Sequence, residues 1–248
     1  MTIDTARTRT PGRSSVGATA RWLLTMHLYL AMWFWVIVVV VATGALVVID
    51  QVGTVQNSIL AFARQGAIWF PFAVFIAITA AYLPVHVAAG LTRRSLALGS
   101  IVSAAGTALA NGIVFGGLLL LERAVFDALG WRWRILDEVS PSAVDAWTFV
   151  VVNVLTFLVA YVSGLLVCLT YQRVGGWWAT LALPLTAGPI FVVAALLAQD
   201  TGPFDTAGWL GGGQPLLVAS ALSLLIVAAM AFAFDRLTRG ASVPSRTS

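Results

Sequence analysis

The stretch "WLLTMHLYLAMWFWVIVVVVATGALVVI", residues 22–49, runs for 28 positions without a charged side chain. A helix rises about 1.5 Å per residue, so roughly 20 apolar residues cross the hydrocarbon core of a membrane, and this run is long enough. It is too long for the apolar region of a secretory signal peptide, which spans about 7–15 residues. Working outward, the same pattern recurs at about 66–90, 98–121, 146–170, 177–198 and 214–234, giving six expected spans. Hydrophobic residues make up 60% of the 248 positions and charged residues 10%, with a mean hydropathy of +0.93. That composition is an integral membrane protein's, and too little chain lies outside the apolar runs for a soluble catalytic domain. The expected architecture is all-α: residues 22–235 form a six-helix membrane domain, between tails at 1–21 and 236–248.

All fourteen basic residues are arginine. Arg7, Arg9, Arg13, Arg21, Arg93, Arg94, Arg173, Arg236, Arg239 and Arg246 fall in the tails and even-numbered connections, against Arg64, Arg123, Arg132 and Arg134 in the odd ones. The positive-inside rule therefore predicts that both termini are cytoplasmic, in the inner (plasma) membrane of the cell. The net charge of +4 then reads as an orientation signal, and no nucleic-acid partner is expected. The tails read as disordered segments flanking the spans. Across the membrane, residues 122–145 form the longest connection. Its spacing of Phe126, Leu129, Trp133 and Leu136 suits a short amphipathic surface helix, with Trp131 and Trp133 as interfacial anchors. A lid over a pathway is the sharper reading of that segment.

Absences narrow the chemistry. Glu122 and the aspartates near the apolar runs all sit at their ends, so no carboxylate is expected deep in the membrane to bind a driving ion. The chain has no lysine, which rules out the phosphate-cradling G-x-x-x-x-G-K-[ST] loop. Energy for any transport must come from another chain. Cys168, the single cysteine, has no intramolecular partner. No acid, base and nucleophile converge at one depth, so an enzyme is not expected, and no residues suggest a metal site.

Within the spans, His27 and His86 lie at similar expected depths, each about 10 Å inside the flanking arginines by helical rise. Histidines on neighbouring helices can ligate haem, but packing or hydrogen bonding is the plainer role. Asn111 and Asn153 read as amides bonded between helices more readily than as contacts to substrate. Gly112 and Gly116 form a small-residue stripe suited to close helix contact, within the chain or between two copies. Pro184 and Gly188-Pro189 should bend the fifth span, where such kinks can line a pathway, and Pro71 and Pro84 mark the second.

The connection between the second and third spans is nearly all motif: Gly90-Leu-Thr-Arg-Arg-Ser-Leu96. In sequence it is a positive-inside staple that projects Thr92, Arg93, Arg94 and Ser95 from the membrane. The heptapeptide also resembles the "G-[VLT]-[ST]-R-[RK]-x-[FLY]" pattern of ABC-2 type transporter permease subunits in their small six-helix form. The six spans, the inside termini and the excursion before the last span are similar as well. The resemblance implies a coupling helix at Thr92, Arg93, Arg94, Ser95 and Leu96 that docks on a separate ATP-binding subunit. It further implies a second permease subunit, identical or not, with ATP and Mg held by the partner ATPases and none bound directly here. The expected cargo is amphipathic or lipid-like, and export the expected direction. Two other readings stand beside it: a structural or assembly membrane protein that transports nothing, and a haem-binding redox subunit using His27 and His86.

Overall fold

The structure is a computed structural model that describes residues 12–52, 58–131, 146–197 and 215–239. Every element among them is helical: α1 Gly12–Val52, α2 Leu60–Ala88, α3 Arg93–Leu129, α4 Ala146–Leu181, α5 Leu183–Thr186, α6 Gly188–Leu197 and α7 Leu216–Arg239. Five of them, α1, α2, α3, α4 and α7, are long and apolar enough to cross a membrane.

The helices outrun the hydropathy that predicts them. α1 begins at Gly12, so residues 12–21 are its first turns and not a separate tail. α3 runs past the expected end of the third span to Leu129, where Gly130 takes the left-handed conformation at φ 69°. There Trp131 N donates to Phe126 O at 2.9 Å, and the two rings meet edge to face with centroids 5.5 Å apart. Both features mark a Schellman stop, the backbone bond and the apolar contact across it. The surface helix expected from Phe126 therefore starts as the end of α3, with Phe126 buried and Leu129 exposed. Trp133 and Leu136 lie outside the described residues.

The fifth expected span, 177–198, is not one helix. Gly175 breaks α4 with φ 79° and ψ 169°, angles in which a side chain is strained. Tyr171 and Thr180 join their hydroxyls across that break at 2.9 Å. Pro184 then sits in the first turn of α5, where it lacks an N–H that would have no helical partner anyway. The helix stops again at Ala187, and α6 restarts at Gly188-Pro189. The chain between Gly175 and Leu197 is thus a string of short helices, with α6 folded back along α4.

α4 is the central helix: 72% of its apolar window is buried, against 11% for α1. α1 packs chiefly on α3, and α2 and α7 on α4, while α3 lies against both α1 and α4; apart from the α3–α4 pair, the main partners are not neighbours in sequence. Glycine sets the closest approaches. A Cβ on Gly164 of α4 would stand 2.6 Å from the Phe72 carbonyl oxygen of α2. Cβ atoms on Gly112 and Gly116 of α3 would meet Val154 at 2.3 Å and Val150 at 2.8 Å on α4. The expected small-residue stripe is accordingly spent on α3–α4 packing inside the chain.

Candidate functional site

Two groups of residues hold the polar chemistry of the bundle: the α2–α3 turn, and a set of buried polar side chains between the helices.

The turn is built at both ends. Gly90 takes φ 71° and Leu91 N donates to His86 O at 3.2 Å, which closes α2 as a Schellman motif. Two residues later Thr92 is the N-cap of α3, extended at φ −79° and ψ 143°. Its Oγ1 accepts from Ser95 N at 3.2 Å. Ser95 Oγ donates back to Thr92 O at 2.6 Å. His86, 1% exposed, places Nε2 3.1 Å from Ser95 Oγ and 3.3 Å from Thr92 O. Since the carbonyl only accepts, Nε2 is the protonated nitrogen, and it ties the last turn of α2 to the first turn of α3.

This geometry revises the expected docking segment. There is no separate coupling helix: Arg93, Arg94, Ser95 and Leu96 are the first turn of the long α3. Ser95 and Leu96 point inward, each 1% exposed. Thr92 and Arg94 are exposed and Arg93 is half-buried. Among the described residues neither Arg93 nor Arg94 has an ion-pair partner. Cations in the first turn also oppose the helix macrodipole, which favours negative charge there. The arginines are therefore not placed to stabilise α3.

Mid-bundle, four helices share one chain of hydrogen bonds. Trp35 Nε1 of α1 donates to Asn111 Oδ1 of α3 at 2.9 Å. Asn111 Nδ2 donates to the Tyr161 hydroxyl of α4 at 2.7 Å, and Tyr161 donates to Ala67 O of α2 at 3.0 Å. Ala67 lies four residues before Pro71, whose missing N–H leaves that carbonyl without its helical donor. Tyr161 supplies the donor that proline removed. Asn153 works elsewhere: its Oδ1 accepts from Arg64 Nε at 3.1 Å, and its amide donates to Phe149 O. Both asparagines thus hold helices together.

Glu122, expected only as a carboxylate at the end of an apolar run, is buried and holds a structural role. It is 5% exposed and covers the start of α2. One oxygen accepts from Ile59 N at 3.0 Å and Leu60 N at 3.1 Å, while the other accepts from the Ser58 hydroxyl. Ser58 in turn caps Ala61 N at 3.0 Å. A carboxylate on the N–H end of a helix is favourably placed against the helix dipole. Sequence gives no warning, because the capped helix and the capping acid are far apart in the chain.

The two histidines are not at one depth. His27 stacks on Phe75, centroids 3.8 Å apart, and Phe75 is eleven residues before His86 on the same helix, roughly 16 Å by helical rise. Their α3 neighbours agree: His27 meets Ser103 and His86 meets Ser95, eight residues or roughly 12 Å apart. One haem iron cannot take both rings. Among the described residues no three of His, Cys, Asp and Glu come together. The chain matches no protein-family model, no curated protein and no solved structure.

Proposed function

We propose that the chain is the membrane-spanning permease subunit of an ATP-binding cassette transporter, driven by a separate ATPase that docks on the α2–α3 turn. In this reading the broken segment from Gly175 to Leu197 is a sixth crossing, both termini are cytoplasmic, and a second permease subunit completes the transporter in the cell's inner membrane.

The observation that carries the proposal is the pair Arg93 and Arg94, held rigidly on a doubly capped turn where the helix dipole opposes them. A positive-inside staple needs arginines near a membrane surface but not a rigid mount. A docking element needs both charge and stiffness, because a push on it must reach the helices. His86 and the Thr92 cap supply that stiffness by joining α2 to α3. The docking face is Leu91, Thr92, Arg93 and Arg94, and it requires acidic or carbonyl groups on the ATPase. Cargo of an amphipathic, lipid-like kind exported outward suits a bundle whose described surface is so largely apolar.

The test is purification of the tagged chain from its native membrane in mild detergent, followed by identification of its companions. A soluble ATP-binding subunit is expected in near-equal amount, and lost when Arg93→Glu and Arg94→Glu are combined without a change in melting temperature. If no ATPase accompanies the wild type, or if the double reversal retains it, the docking reading falls and a non-transporting assembly protein takes its place.

A further inference from the structure

Several helical threonines in this bundle bond back to the carbonyl four residues earlier, as Thr19, Thr43, Thr156, Thr170 and Thr238 do at 2.7–2.8 Å. Thr107 of α3 departs from that habit: it is 1% exposed and its Oγ1 has no hydrogen-bond partner among the described residues. His27 of α1 shows the same departure. Its Nδ1 lies 2.7 Å from Leu23 O, a carbonyl that only accepts, so Nδ1 carries the proton and Nε2 of the neutral ring is a bare acceptor. Nε2 is buried and without a partner. Both residues line one pocket, together with Leu30, Ala31, Phe70 and Val74. Buried polar atoms are almost always satisfied, and two orphans in one pocket point to a group that satisfies both.

We infer that this pocket binds the hydroxyl head of a neutral, long-chain amphiphile that enters sideways between α1 and α2. A single hydroxyl meets both needs, its proton donated to His27 Nε2 and its oxygen accepting from Thr107. The interior has room for little more than a water-sized group, which fits a hydroxyl and excludes a phosphate or a sugar. The mouth is apolar: Phe70 is exposed, and Leu30 and Val74 are half-buried, so an alkyl tail leaves over carbon surface. Pro71 also lines the site, adding the carbon of its ring to the wall. As cargo, the amphiphile rests on the transport reading above; as a ligand of this chain it needs no partner subunit, so the two ideas fail separately.

The test uses the purified full chain in detergent micelles and hexadecanol with a photoactivatable diazirine in its tail. Crosslinks are expected on peptides of α1 and α2 around His27 and Phe70. Unlabelled hexadecanol makes two hydrogen bonds that hexadecane cannot, and should compete at about a hundredfold lower concentration, about tenfold for each bond. Hexadecyl phosphate should compete no better than hexadecane. Thr107→Val keeps the side-chain shape and should weaken labelling about tenfold, and His27→Phe, which keeps the ring on Phe75, should do the same. If His27→Phe does not fold, Thr107→Val decides alone. Equal competition by hexadecane, labelling elsewhere in the chain, or wild-type labelling of Thr107→Val overturns the site and leaves a dent that holds water.

Discussion

Replacing Tyr161 by phenylalanine removes one oxygen and two hydrogen bonds, to Ala67 O and from Asn111 Nδ2. Ala67 and Tyr161 are both 0% exposed, so no water replaces the missing partner. Hydrogen bonds between membrane helices average ~0.6 kcal/mol and reach ~1.7, so the two losses together amount to ~1.2–3.4 kcal/mol. The decisive measurement is the same change in a Pro71→Ala background. Alanine restores an N–H that reaches Ala67 O through the ordinary helical bond, and the tyrosine then serves only Asn111. Tyr161→Phe should therefore cost less in Pro71→Ala than in the wild type, by the worth of one bond, ~0.6–1.7 kcal/mol. Reversible unfolding in mixed micelles, followed by tryptophan fluorescence on the four proteins of the cycle, measures that difference. An equal cost in both backgrounds refutes the claim that Tyr161 stands in for the donor that Pro71 lacks.

Glu122→Gln keeps an acceptor but turns an amide toward donors, and should lower unfolding stability by ~1–2 kcal/mol; Glu122→Ala, which strips three donors of their acceptor, should lower it further. The reverse order in the same micelle assay would mean that Glu122 does not cap α2. Gly164→Ala drives a methyl onto the Phe72 carbonyl of α2 and should cost ~1–3 kcal/mol. Gly117→Ala, with nothing within 4 Å, should be neutral or slightly stabilising.

The apolar runs predict where long apolar helices form, because hydropathy measures apolar length and nothing else. They miss where helices end: α1 and α3 continue past charged residues such as Arg21 and Glu122, since a helix does not stop at the edge of a hydrocarbon layer. Local stops were readable in principle, because Gly90 and Thr92 are the residue types that close one helix and open the next. The breaks expected at Pro184 and Gly188-Pro189 coincide with α5 and α6, but the division of 177–198 into short helices also needs Gly175. The matched depth of His27 and His86 fails because counting from flanking arginines ignores how α1 slides along α2. Glu122, Tyr161 and Thr107 escape notice for a common reason. Each matters through an atom on another helix, or through the lack of one, and no spacing along a single helix encodes that.

The interleaved packing bears on how the bundle comes together. α1 and α2 touch each other far less than α1 touches α3 or α2 touches α4. A chain threaded into the membrane from its N-terminus therefore holds its first hairpin loosely, with Trp35 Nε1 and Ala67 O still lacking the partners they find on α3 and α4. Only the arrival of α4 completes Tyr161 and locks all four helices at once. Folding of this protein is in that sense postponed, and any factor that shelters the early pair has until the fourth helix to act.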